Sequence, residues 1–137
     1  MAKVLIVDDS PTQAAMLAQM LLQHQHVVEI EGTGKRGLNR ALQSTFDLLI
    51  LDLNLPDMTG LEICQQYKAT GRTTPVMLVT SEDQLYTLSE EQQAIADYYC
   101  TKDQRFLEPR VEIILLRQRR RHIVISVEKN HATLNSF

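Results

Sequence analysis

A chain of 137 residues, 44% apolar and 23% charged, is the size of one ordinary domain and carries enough apolar surface for one core. Its net charge of -3 and pI near 5.8 leave no basic excess for a phosphate backbone, so direct nucleic-acid binding is not expected. Its apolar runs fall far short of the ~20 residues of a membrane span, and its two cysteines, Cys64 and Cys100, form no C-x-x-C pair and follow no secretory leader. A soluble protein in a reducing, cytoplasmic setting is expected.

In chain order, KVLIV (3–7) reads as a strand that ends on Asp8 and Asp9. A helix follows, with Ser10 as N-cap, Pro11 at its first position and Ala14, Leu17 and Leu21 on one face. His24 and His26 close it; two residues apart they share no helical face, and they are expected to be solvated rather than metal-binding. VVEI (27–30) is the second strand, and Leu38, Ala41 and Leu42 mark the second helix. DLLIL (47–51) is the third strand and runs into Asp52; the third helix begins near Gly60 and carries Ile63, Cys64 and Tyr67. PVMLV (75–79) leads to Thr80, and the fourth helix starts either at Asp83 or at Ser89, where SEEQ offers a capping box. DYYCT (97–101) leads to Lys102; the fifth helix has Pro109 in its first turn and Val111, Ile114 and Leu115 along a buried stripe. Arg117, Arg119, Arg120 and Arg121 form its solvated end. The first half of IVISVEKNHATLNSF (123–137) is strand-like and the second half polar, and no helix-turn-helix is readable in it.

Five strands alternating with five helices imply a doubly wound α/β fold with a five-stranded parallel sheet, its strands covered on both faces. Ligand chemistry in such folds gathers at the carboxyl ends of the strands. Asp8, Asp9, Asp52, Thr80 and Lys102 all stand there. Clustered carboxylates repel, by about 4 kcal/mol for a pair 4 Å apart at an effective dielectric constant of ~20. A hard divalent cation relieves that repulsion, and Mg²⁺ suits a site with few protein oxygens and room for water and a phosphoryl group. With Lys102 as fixed cation and Thr80 as donor, the set suits phosphoryl transfer to Asp52 as nucleophile.

The segments VDD, LDLNLPDMTG, LVTSED and DYYCTKD together resemble the receiver domain of two-component response regulators, the CheY-like family. The resemblance covers about residues 1–118, leaving 119–137 as a basic helix end and tail, or a linker to an output domain. It implies a flavodoxin-like strand order, 2-1-3-4-5. It implies Mg²⁺ on Asp9, Asp52 and the Asn54 main-chain carbonyl, with Asp8 acting largely through water. Thr80 and Lys102 would each hold a phosphoryl oxygen, Tyr99 would turn inward as Thr80 moves, and Asn54 and Glu82 would tune the lifetime of the phosphoryl group. The implied partners are a histidine kinase or phosphotransfer protein and a downstream target or output domain. The face formed by the fourth helix, fifth strand and fifth helix would serve output and can support a homodimer.

Two features depart from that family. Asp103 stands where a cis-proline usually follows the lysine, so a trans bond is expected, with a carboxylate placed to compete for Lys102. QQAIADYY lacks the usual glycine turn, which points to remodelling between Leu85 and Ala96. These departures are what a receiver-like interaction module acting without phosphorylation would show; the complete site speaks for the phosphorylated switch. A haloacid-dehalogenase-like phosphohydrolase would need a second Asp where Asn54 stands, and an EF-hand loop is interrupted by Pro56 and Asp57.

Overall fold

Among the described residues, most of the largest side chains that are less than 2% exposed lie in three short apolar segments, which become the centre of the sheet. The computed structural model describes the backbone of residues 1–135, and the side chains of residues 1–119 apart from Glu82. Its strands are β1 (Lys3–Val7), β2 (Val27–Glu31), β3 (Leu48–Asp52), β4 (Val76–Thr80) and β5 (Tyr98–Thr101). The helices are α1 (Pro11–Gln23), α2 (Gly34–Gln43), α3 (Gly60–Lys68), α4 (Glu82–Leu85), α5 (Glu90–Gln93) and α6 (Gln104–Asn135). All strand pairs are parallel, in the order β2-β1-β3-β4-β5.

Side-chain alternation along the strands divides the core into two layers. Val4, Ile6, Leu48, Ile50, Met77 and Val79 pack with Leu17 and Leu21 of α1 and Val111 and Ile114 of α6. Leu5, Val7, Leu49, Leu51, Val76 and Leu78 pack with Ala41 of α2 and Ile63 and Tyr67 of α3. Each fully buried aliphatic side chain contributes about 1.5–3 kcal/mol, so β1, β3 and β4 form the rigid part of the scaffold. The helices begin where side chains satisfy free N–H groups. Ser10 accepts from Gln13 at 3.4 Å, Thr33 from Arg36 at 3.2 Å and Thr59 from Glu62 at 3.1 Å.

Five expectations need correction. The edge strand β2 is not covered on both faces: Val27 and Ile30 are 43% and 44% exposed, and Glu29 is used for ion pairs with Arg40 and Lys3. The fourth helix is two short ones, which brings the helices to six rather than five. Among the described residues between Thr80 and Cys100 only Ala96 is buried, so no apolar stripe holds a longer helix; Thr87 Oγ1 donates to the Gln84 carbonyl at 2.7 Å as α4 ends, and the Ser89–Gln92 capping box starts α5.

Pro109 lies beyond the first turn of α6, because Asp103 caps that helix five residues earlier than expected. The strand-like stretch after residue 122 is helical to Asn135, since no Gly or Pro after Pro109 interrupts α6; residues 136–137 lie outside the described residues. The histidines are partnered rather than simply solvated. His24 Nε2 lies 3.1 Å from Glu108, while His26, its side chain 10% exposed, takes the Ala2 N–H on Nδ1 and meets Glu112 at 3.0 Å through Nε2. Among the described residues no helix is long and apolar enough to cross a membrane.

Candidate functional site

The sheet register assembles the site. Val7 pairs with Leu51, which brings Asp8, one residue on, level with Asp52 at the end of β3. Asp52 pairs with Val79, and Thr80 pairs with Thr101, so Thr80 and Lys102 complete the same rim. β1 lies between β2 and β3, the point at which the winding of the sheet reverses and a crevice opens.

One carboxylate oxygen from each of Asp8, Asp9 and Asp52 lies within 4.8 Å of the others. Asp52 is 4% exposed; its Oδ1 accepts the Asn54 N–H at 3.0 Å and its Oδ2 accepts from Lys102 Nζ at 2.7 Å. Lys102 also lies 3.8 Å from Asp8 Oδ2. Burial lifts the Asp8 carboxyl above the usual carboxylate range and the charge of Asp52 adds to the rise, while the Ser10 N–H and Lys102 oppose it. The rise thus comes mainly from burial, with the Lys102 ammonium working against it. Three hard oxygen donors converging on one point are what a divalent cation such as Mg²⁺ takes, and the softer sulfur groups of Cys64 and Cys100 lie elsewhere, in the buried core.

A cavity of about 400 Å³ opens above Asp52 and is lined by Asp9, Asn54, Thr80 and Lys102 among others. Its floor is held by close packing. A Cβ on Gly60 would lie 2.5 Å from the Asp52 carbonyl oxygen and 2.8 Å from Leu78, so α3 can start directly beside Asp52 only with glycine there. The Asp57 carboxylate fixes the loop between β3 and α3 by accepting the Gly34 and Lys35 N–H groups at 2.7 and 2.9 Å, and those bonds hold its carboxyl below the usual range.

With this geometry, a family model described as the response regulator receiver domain matches residues 4–111. The chain belongs to that family. Its function is that of a receiver, a phosphorylation-controlled signalling module of two-component systems. It is 36% identical over 126 residues to the response regulator ArlR of Staphylococcus saprophyticus and 38% over 120 residues to that of Staphylococcus epidermidis, alignments that cover 90% and 86% of this chain. The chain spans only 57% and 54% of those relatives' lengths. Among solved structures, a receiver domain from Clostridium thermocellum is similar at a TM-score of 0.78 and 20% identity, covering 91% of this chain and 99% of that one. The BeF3-activated DrrB receiver domain is similar at 0.69 and 34%, covering 84% and 97%. TrrA of Thermotoga maritima, solved in complex with Mg²⁺-BeF, is similar at 0.74 and 24%, covering 83% and 99%.

Within this receiver, Asp8, Asp9, Asp52, Asn54, Thr80 and Lys102 are brought together, and Tyr99 is not. The Tyr99 hydroxyl donates to the Gln92 carbonyl and accepts the Ala96 N–H at 3.3 Å, so it ends on the α5 segment; burial raises its phenol pKa. The side chain of Glu82 lies outside the described residues; its backbone opens α4. Asp103 does not compete for Lys102. It caps α6 through the Arg105 N–H at 3.0 Å and pairs with the Arg105 guanidinium at 2.7 Å, which keeps its carboxyl ionised to lower pH than usual. The Lys102–Asp103 bond is trans, as no described peptide bond is cis.

Two site residues escaped the sequence reading. Gln13 Oε1 accepts from Lys102 Nζ at 2.6 Å, and Gln84 Oε1 accepts from the Thr80 hydroxyl at 2.6 Å and from the Asn54 side-chain amide. Gln13 lies four residues past Asp9, one turn into a helix whose cap was readable; its chance of reaching the crevice was the one available signal.

Proposed function

We propose that Asp52 is the phosphoacceptor of this receiver, taking a phosphoryl group from a phosphohistidine on a histidine kinase or phosphotransfer protein. The observation that carries the reading is Lys102 Nζ at 2.7 Å from the buried Asp52 carboxylate, with Asp8 and Asp9 beside it. The Asp52 carboxylate attacks phosphorus, the phosphorus–nitrogen bond of the donor breaks, and the imidazole leaves with the electron pair. Lys102 holds the carboxylate in place before transfer and neutralises a phosphoryl oxygen afterwards. Thr80, 2% exposed at the end of β4, is placed to donate its hydroxyl to another. Asp8, Asp9, Asp52 and the main-chain carbonyl of Asn54 would hold Mg²⁺, which when bound offsets the charge that builds on the phosphoryl oxygens.

On this reading the domain catalyses its own phosphorylation and slow dephosphorylation, and does not turn over a small substrate. Its new charge is read by a downstream protein or output domain. TrrA solved with Mg²⁺-BeF and the BeF3-activated DrrB receiver domain support the cation and the phosphoryl stand-in at such a site. Residues 1–118 would form the switch, and residues 119–135 belong to the rest of α6.

Intact-mass analysis after incubation with acetyl phosphate tests the assignment. The expected result is a gain of one phosphoryl mass that requires Mg²⁺ and is lost in Asp52→Ala. A gain that persists in Asp52→Ala, or no gain in the folded wild-type chain, would overturn it and favour the interaction module that works without phosphorylation.

A further inference from the structure

Thr80 has one hydroxyl proton, and in this structure Gln84 holds it. Gln84 Oε1 lies 2.6 Å from Thr80 Oγ1 and also accepts the side-chain amide of Asn54. Thr80 is 2% exposed, so water does not compete freely for that proton. A phosphoryl oxygen on Asp52 can receive it only after the bond to Gln84 breaks. Gln84 is also part of the main-chain structure of α4, because its carbonyl accepts the Thr87 hydroxyl at 2.7 Å and, through a turn, the Thr87 N–H at 3.1 Å. The helix itself has only four residues, Glu82–Leu85. Its hold on the rest of the fold thus includes a side chain that reaches into the reaction site.

Resting on the reading of Asp52 as phosphoacceptor, we propose that Gln84 is a latch: it withholds the Thr80 hydroxyl from the phosphoryl group and ties α4 to the unphosphorylated site. An anionic phosphoryl oxygen is the stronger acceptor, since charge-assisted hydrogen bonds are roughly twice as strong as neutral ones. When Thr80 turns to it, Gln84 loses a partner and α4 loses its anchor. Linkage makes the effect reciprocal: whatever Gln84 contributes to holding α4 opposes phosphorylation to the same extent. Gln84 is a positioning residue here. It forms no bond to the reacting atoms and acts through Thr80.

The test uses the full chain with beryllium trifluoride and Mg²⁺ as the phosphoryl stand-in, followed by amide NMR titration and hydrogen exchange. Gln84→Ala is expected to bind the probe about fivefold more tightly, the equivalent of one neutral hydrogen bond. Gln84→Met, similar in length but without the acceptor, should behave in the same way. In a Thr80→Ala background the gain should vanish. Amides of residues 82–85 should exchange faster in Gln84→Ala without the probe, and in the wild type only once the probe is bound. Unchanged or weaker binding by both Gln84 variants overturns the latch, and so does an equal gain in the Thr80→Ala background. If the wild-type chain fails to bind the probe with Mg²⁺, the Asp52 reading itself falls and the latch falls with it.

Discussion

Replacing Asp8 by Asn should make the metal-free protein more stable while disabling its site. The Asp8 side chain is 12% exposed, and its carboxylate lies within 4.8 Å of those of Asp9 and Asp52. At that separation and an effective dielectric constant near 20, each like-charged pair costs at least about 3.5 kcal/mol. The Lys102 ammonium, 3.8 Å away, offsets about 4.4 kcal/mol on the same scale. Two repulsions against one attraction leave about 2–3 kcal/mol against ionised Asp8, and the exposure of Lys102 and Asp9 screens roughly half of it. Asn keeps an oxygen for the Ser10 N–H, which Asp8 Oδ1 accepts at 2.9 Å, so the turn into α1 survives.

Urea unfolding at pH 7 in metal-free buffer should therefore show Asp8→Asn more stable by about 1 kcal/mol. The pH dependence follows from the raised carboxyl. The folded state holds the Asp8 proton more tightly than the unfolded chain, so the wild type loses stability as pH rises from the unfolded value of 3.8 through the folded one. The advantage of the variant is complete above the folded pKa and closes as pH falls to 3.8. Mg²⁺ at ten times its Kd should add about 1.4 kcal/mol to the wild type and much less to the variant. A variant that is less stable than wild type in metal-free buffer, or equally stabilised by Mg²⁺, would refute the reasoning.

Gly60→Ala places a methyl group against the Asp52 carbonyl and Leu78, and should cost about 1–3 kcal/mol in thermal or urea unfolding and weaken Mg²⁺ binding by shifting Asp52. His24 titrates above its ordinary 6.5 because of its hydrogen bond to Glu108, aided by the charge of Glu112; an NMR titration should show that midpoint fall in Glu108→Gln. The stability His24 contributes is present below the unfolded pKa and is lost as pH rises through the folded one. Asp103→Ala should lower the thermal midpoint through loss of the α6 cap, yet leave the rate of phosphorylation by acetyl phosphate unchanged. A fall in that rate would show that Asp103 acts on Lys102 after all.

The sheet was legible because β1, β3 and β4 are continuous apolar runs too short for helices, and such runs have few alternatives to a strand covered on both faces. The link between β4 and β5 was not. Its few apolar residues form no stripe, and both starts read from local chemistry, one near Asp83 and one at Ser89, are used by separate helices. The tail misled for a related reason: β-branched residues in IVISV favour a strand, but a strand needs a neighbour, and a helix already running from Gln104 needs none.

The site divides along the same line. Asp8, Asp9, Asp52, Thr80 and Lys102 were legible because strand ends are local to the sequence, and charges gathered at one rim have few other uses. Gln13 and Gln84 were not, because a neutral amide signals nothing by type; Gln13 matters through Lys102, 89 residues away, and Gln84 through Thr80 and Asn54, 4 and 30 residues away. Asp103 shows the converse, where residue type suggested an interaction that geometry removes. A carboxylate next to Lys102 in sequence can turn to its ammonium or to the free N–H groups opening α6. The Arg105 N–H and guanidinium take it, which leaves Lys102 to Asp52 at 2.7 Å. The residue that stands in place of the family's usual proline is thereby used as a helix cap, and the Lys102–Asp52 ion pair stays intact.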